Sequence, residues 1–180
     1  MKIAVFCSAN KNIDSDFFTM TEEFGKWMGK NGHDLVFGGC NVGLMDCIGK
    51  AVRANGGRAI GFVPTLVEKG GRRFADLDVE TPCDNLSDRK DLMLSHADVV
   101  VALPGGIGTL DEIFTVAASH LIGYHHKMLV LYNMKGFWAS AIALLDDMQQ
   151  KGMIRGHWSD FIKVANSLDE LVKIIEEVRI

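Results

Sequence analysis

The 180-residue chain has no cluster of lysine or arginine, no paired-cysteine spacing, and no apolar run near the roughly 20 residues that span a bilayer. Each absence removes a class of function. With 19 basic and 23 acidic residues the formal net charge is -4, which argues against a nucleic-acid partner, so any phosphate recognition must be local. The cysteines, Cys7, Cys40, Cys47 and Cys83, lack C-x-x-C spacing and fit buried reduced thiols better than a disulfide framework. Histidines at 120, 125 and 126 are close in sequence, but no H-E-x-x-H or comparable ligand set accompanies them, so neither a metal nor another cofactor is expected. The opening Met1-Lys2-Ile3-Ala4-Val5-Phe6 reads as a strand, not a secretory leader, and a soluble cytoplasmic protein without a membrane partner is expected.

What is present is a regular alternation. Strands are predicted at about Lys2 to Cys7, Asp34 to Phe37, Arg58 to Val63, Val79 to Cys83, Asp98 to Leu103, Lys127 to Tyr132 and Phe161 to Ala165. Amphipathic helical patterns lie between most of them. Phe17, Met20, Phe24, Trp27 and Met28 form one stripe before Asn31-Gly32, and Leu44, Met45, Ile48, Ala51 and Val52 form another before Asn55-Gly56-Gly57. The pattern predicts one α/β domain over residues 1–180, a Rossmann-like open parallel sheet of about seven strands with helices on both faces. A helix from Thr109 to about Gly123 is apolar almost all round, which predicts burial by a second subunit in a homodimer. The stretch from Pro64 to Ala75, with Gly70-Gly71-Arg72-Arg73, has little periodicity and is expected to be a mobile excursion near the ligand edge.

The stretch with most chemical content is Pro104-Gly105-Gly106-Ile107-Gly108-Thr109-Leu110-Asp111-Glu112. It follows an apolar run typical of a buried parallel strand, so the loop belongs at a strand's C-terminal end, where open α/β sheets collect ligands. A helix starting there aims free N–H groups and the positive end of its dipole at an anion, and glycines let that anion approach main chain. Thr109 and Glu112 also have the spacing of a capping box, as do Ser167 and Glu170 near the C-terminus, where no glycine loop precedes them. Both readings of Glu112, first-turn cap and acid or base beside a phosphate cradle, stand at this point.

Two further segments belong to the same predicted edge. Val36-Phe37-Gly38-Gly39-Cys40-Asn41-Val42-Gly43 is a glycine turn after the second strand, suited to a phosphate or to a tight structural turn. Its spacing is not that of a dinucleotide fingerprint, because Cys40 stands where a glycine would be needed and no acidic residue ends the next strand. Arg89, in Asn85-Leu86-Ser87-Asp88-Arg89-Lys90, starts a helix at the same edge, where its guanidinium can hold a phosphate or pair with Glu112 but stays charged and so is no base.

These motifs together resemble the lonely-guy family of cytokinin riboside 5′-monophosphate phosphoribohydrolases, many of which were long labelled lysine decarboxylases. The resemblance covers nearly the whole chain. It implies a Rossmann-like dimer, working without a cofactor, that hydrolyses the N-glycosidic bond of adenine-type nucleoside 5′-monophosphates. It makes Glu112 and Arg89 the catalytic pair, and it assigns Gly105, Gly106, Gly108 and Thr109 to the phosphate loop. Gly38, Gly39, Gly43, Ser8 and Lys90 are the further substrate- or phosphate-binding residues it implies. The chain departs from the family pattern at Cys40 and Asn41, in the loop Cys7-Ser8-Ala9-Asn10, and at Ser119 and Leu121, which leaves open whether a cytokinin precursor, AMP or another purine monophosphate is the substrate. A nucleotide or molybdenum-cofactor-type carrier is the alternative, since fold alone does not separate binding from turnover. Nothing in the chain resembles a pyridoxal phosphate lysine site.

Overall fold

The computed structural model describes residues 1–64 and 70–178. Seven strands, β1 (Lys2–Phe6), β2 (Asp34–Phe37), β3 (Ala59–Pro64), β4 (Val79–Cys83), β5 (Val99–Ala102), β6 (Leu129–Tyr132) and β7 (Ile162–Ala165), form one sheet in the order β4-β3-β2-β1-β5-β6-β7. Every pairing is parallel. The helices are α1 (Ser15–Lys30), α2 (Gly43–Ala54), α3 (Leu86–His96), α4 (Ile107–Ile122), α5 (Ala139–Gln150) and α6 (Leu168–Glu177).

Period-2 alternation divides the strand residues between two cores. Ile3, Val5, Val99, Val101, Val130 and Tyr132 point to the side covered by α1, α2 and α6, through Phe24, Met28, Leu44, Ile48, Val52, Leu171 and Ile175. Ala4, Phe6, Val100, Ala102, Leu129 and Leu131 point to the side covered by α3, α4 and α5, through Met93, Ile113, Val116, Ala117 and Leu145. Burial on both faces explains why β5 reads as Val-Val-Val-Ala with no polar residue. The edge strand β4 is mostly exposed, and an edge is where its Pro82 is tolerated.

The chain moves outward from β1 to β4 and then returns to β5 on the other side of β1, so the order reverses between β1 and β5. At such a switch point the loops after the two strands part and leave a crevice at their C-terminal ends.

Residues 65–69 of the predicted excursion lie outside the described residues. The part that follows is fastened to the Gly38 turn. Asn41 N–H donates to the Arg72 carbonyl at 2.9 Å, Phe74 N–H to the Gly39 carbonyl at 2.7 Å, and Cys40 pairs with Arg73 in an antiparallel bridge. Phe74 then packs edge-on to Phe37 with ring centres 5.6 Å apart.

Candidate active site

The crevice between the β1 and β5 loops is a cavity of about 470 Å³ lined by Cys7, Ser8, Ala9, Asn10, Met45, Arg89, Gly106, Gly108, Thr109 and Glu112. Ser8 ties its walls together: its N–H donates to the Pro104 carbonyl at 3.0 Å, its carbonyl accepts from Leu44 N–H at 2.9 Å, and its hydroxyl accepts from Asn10 N–H at 3.0 Å. Gly43, at φ +65°, completes that junction, because a Cβ there would lie 2.7 Å from the Ser8 carbonyl oxygen.

One wall is the start of α4. Its N-cap is Gly106, with no side-chain cap, so the helix begins at Ile107, two residues earlier than predicted. Thr109 is therefore inside the first turn and does not cap it, and Glu112 lies well beyond the first turn, which overturns the capping-box reading. The turn into the helix is tight: a Cβ on Gly105 would overlap the Thr109 hydroxyl, so the position requires glycine. The N–H groups of the first turn, without a capping side chain, face the cavity mouth at Gly106 and Gly108, an arrangement suited to an anion. At Ser167 the predicted cap does form, its hydroxyl accepting from Glu170 N–H at 3.2 Å.

Glu112, 4% exposed, accepts a hydrogen bond from Arg89 Nη2 at 2.5 Å. Arg89 comes from α3, which Asn85 starts by accepting from the N–H groups of Ser87 and Asp88. Gly38 leaves room for the guanidinium, since a Cβ there would lie 3.1 Å from Arg89 Nη1. Burial pushes the Glu112 carboxyl up to about 7, with the nearby Asp111 adding to the rise, while Arg89 and Lys90 pull against it. Half of such carboxyls are ionised near neutral pH, where a general base works best. Arg89 Nε is buried without a hydrogen-bond partner among the described residues. Cys7 faces the carboxyl across the cavity, and burial followed by the charge of Glu112 raises its thiol, so it is a neutral wall and no nucleophile.

Several predicted site residues lie elsewhere. Gly39, at φ +64°, has its carbonyl taken by Phe74 N–H and packs on β3, where a Cβ would lie 2.5 Å from Val63 Cγ2, so it shapes the turn and does not line the cavity. Lys90, expected to bind phosphate, does not line this cavity: Nζ donates to Asp111 Oδ2 at 2.7 Å and to Thr115 Oγ1 at 2.9 Å. One residue of helix rotates a side chain by about 100°, and adjacent Arg89 and Lys90 bond to different carboxylates. Asn10, Met45 and Cys7 line the cavity without having been singled out as site residues, because nothing in their local sequence marks them and the switch point alone brings them there. Among the described residues no group of three or more His, Cys, Asp or Glu could hold a metal ion. His125 instead meets the Val116 carbonyl through Nε2 at 3.1 Å and accepts Lys127 N–H on Nδ1, a structural role.

Comparison with known proteins follows the same lines. A family described as possible lysine decarboxylase matches residues 45–175. The cytokinin riboside 5′-monophosphate phosphoribohydrolases LOG1 and LOG3 of Arabidopsis thaliana are 33% and 32% identical to the chain over 177 residues, covering 98% of it and 83% and 82% of their own lengths. The X-ray structure of TM1055 superposes with a TM-score of 0.77 at 27% identity, covering 98% of this chain and 99% of that one. The molybdenum cofactor binding protein of Rippkaea orientalis superposes with a TM-score of 0.75 at 17% identity, over 98% of this chain and 96% of its own, which is a likeness of fold.

Proposed function

The chain belongs to the family described as possible lysine decarboxylase, whose relatives here include cytokinin riboside 5′-monophosphate phosphoribohydrolases, and from that premise we propose that it hydrolyses the N-glycosidic bond of an adenine-type nucleoside 5′-monophosphate. The observation that carries this reading is a buried Glu112 paired with Arg89 in a switch-point crevice, beside an uncapped helix N-terminus. Amino-acid decarboxylation lacks comparable support: among the described residues no lysine lines the cavity.

The 5′-phosphate binds the first-turn N–H groups of α4 at Gly106, Gly108 and Thr109, with Ser8 and Asn10 opposite. That remote contact fixes the ribose against Glu112, so binding energy is used to orient C1′. Departure of the base leaves an oxocarbenium-like centre, which the carboxylate stabilises while it takes a proton from the attacking water. The C1′–N bond breaks, a C1′–O bond forms, and the departing base nitrogen takes up one proton. The products are free base and ribose 5-phosphate, with one water consumed. Arg89 holds the carboxylate in place.

A homodimer through the Thr109 to Gly123 helix is part of the proposal. Ile122 is 73% exposed and Tyr124 80%, with Leu121 beside them, so the end of α4 and the turn after it present apolar surface that their own protomer does not cover. Four free cysteines fit a reducing compartment and support a cytoplasmic location. The test is incubation of the purified protein with AMP and with N6-isopentenyl-AMP, followed by chromatography for free base. Release from either supports the reading and ranks the substrates; release from neither overturns it.

A further inference from the structure

The Arg89–Glu112 pair does not stand alone. An adjacent residue on each helix makes a second link between them, Lys90 of α3 to Asp111 of α4, and Thr115, one turn further along α4, also accepts from Lys90. Two adjacent cations on one helix thus meet two adjacent carboxylates on its neighbour. The residues of the first link line the cavity; those of the second do not. Lys90 is well shielded, its side chain 13% exposed, while Asp111 is 55% exposed, so the lysine is held in the groove between the helices and the aspartate reaches it from the solvent side. Surface ion pairs contribute little, but this one adds a hydroxyl acceptor on the same face and a partly buried ammonium.

We propose that Lys90 is a positioning residue of the active site: by bridging Asp111 and Thr115 it fixes the offset of α3 against α4, and so holds the Arg89 guanidinium against the Glu112 carboxylate. This rests on the reading of Glu112 as the base. The two helices otherwise meet at few residues that could fix their sliding. An offset of about 1 Å at a base can cost on the order of a hundredfold in rate, which is why a bond outside the cavity matters to chemistry within it.

The same geometry gives Lys90 and Asp111 opposite electrostatic effects. The charged groups close enough to act on Glu112 are Arg89 and Lys90 from α3 and Asp111 from its own helix, with the neutral Cys7 thiol from the β1 loop. Lys90 favours the ionised carboxylate and Asp111 opposes it. A purely structural clamp loses the same thing when either partner is removed. A clamp that also sets the charge around the base does not.

The test follows the Glu112 carboxyl by 13C NMR titration of glutamate-labelled protein, assigned with Glu112→Gln, in wild type, Lys90→Met, Asp111→Asn and Lys90→Arg. The expected result is a titration moved up in Lys90→Met, moved down in Asp111→Asn and restored in Lys90→Arg. Turnover of Lys90→Met should fall on the order of tenfold in kcat with KM little changed, as expected of lost positioning. Titrations that do not move, or that move the same way in both variants, overturn the proposal. A KM that rises with an unmoved titration also overturns it and returns Lys90 to phosphate contact. If wild type cleaves no nucleoside monophosphate, the proposed function fails, while the titrations still decide the role of Lys90.

Discussion

Replacing Glu112 with glutamine tests burial and base chemistry together. The carboxyl is pushed from the ordinary 4.5 up to about 7, chiefly by burial and against the pull of Arg89. That rise corresponds to about 3 kcal/mol at about 1.36 kcal/mol per pH unit. A carboxyl that binds its proton more tightly in the folded than in the unfolded chain contributes this stability below pH 4.5 and loses it as pH climbs through about 7. Glutamine has no such proton to lose, yet its amide oxygen can still accept from Arg89. The stability of Glu112→Gln relative to wild type should therefore rise by up to about 3 kcal/mol between acid and mildly alkaline pH. Urea unfolding of both proteins across that range, at one protein concentration so that association contributes equally, reads the difference. Over the same range turnover should fall by roughly 10² to 10⁴, the contribution of a general base, while ribose 5-phosphate still binds. Parallel stability curves for the two proteins would refute the burial argument. A variant that unfolds at every pH would make Glu112 a structural residue, and undiminished turnover would remove it as the base.

In wild type, kcat/KM should rise with pH on a limb centred near 7, because the base must be ionised; a flat profile from pH 5 to 8 would assign the limb elsewhere. Arg89→Ala should lower kcat by roughly 10² to 10³, as loss of a preorganised charged donor does, and unchanged rates would leave Arg89 a spectator. Gly105→Ala should destabilise by about 1 to 3 kcal/mol on urea unfolding, because the new methyl meets the Thr109 side chain. Gly108→Ala has open space around its Cβ and sits in a helix, so it should be neutral or stabilising by up to about 1 kcal/mol while KM rises; a KM that holds would mean that substrate stays away from this loop. Sedimentation at micromolar concentration should give a dimer that Ile122→Asp dissociates, and a wild-type monomer would remove the proposed interface.

Much of the scaffold is legible in the sequence because burial imposes short-range periodicity. The predicted strands at Asp34 to Phe37 and Val79 to Cys83 have the observed bounds, and the others agree within two residues; for the central strands the reason is burial on both faces, which makes them apolar throughout. Helix ends at Asn31-Gly32 and Gly123 are equally local, set by glycines that accept positive φ. The start of α4 was misplaced because Thr109 and Glu112 carry a genuine capping spacing. What decides against it is that the helix already begins at Ile107 with Gly106 as its N-cap, which places Thr109 inside the first turn.

Glu112, Arg89 and the glycine loop were likewise nameable from the sequence, because their types and order are unusual and resemble a known family. Their chemical state was not. Whether Glu112 caps a helix, lies in solvent or sits buried at a pKa of about 7 depends on β1 and β5 parting at the switch point and on α3 delivering Arg89 across 23 residues of chain. The same holds for Lys90, which local charge could not direct toward phosphate or toward Asp111. Composition and periodicity are properties of neighbours along the chain, so the sequence by itself determined the layers and the candidate residues. Desolvation and pairing are properties of neighbours in space, so only the tertiary structure decided which residues meet, which are turned away, and which proton is free to move.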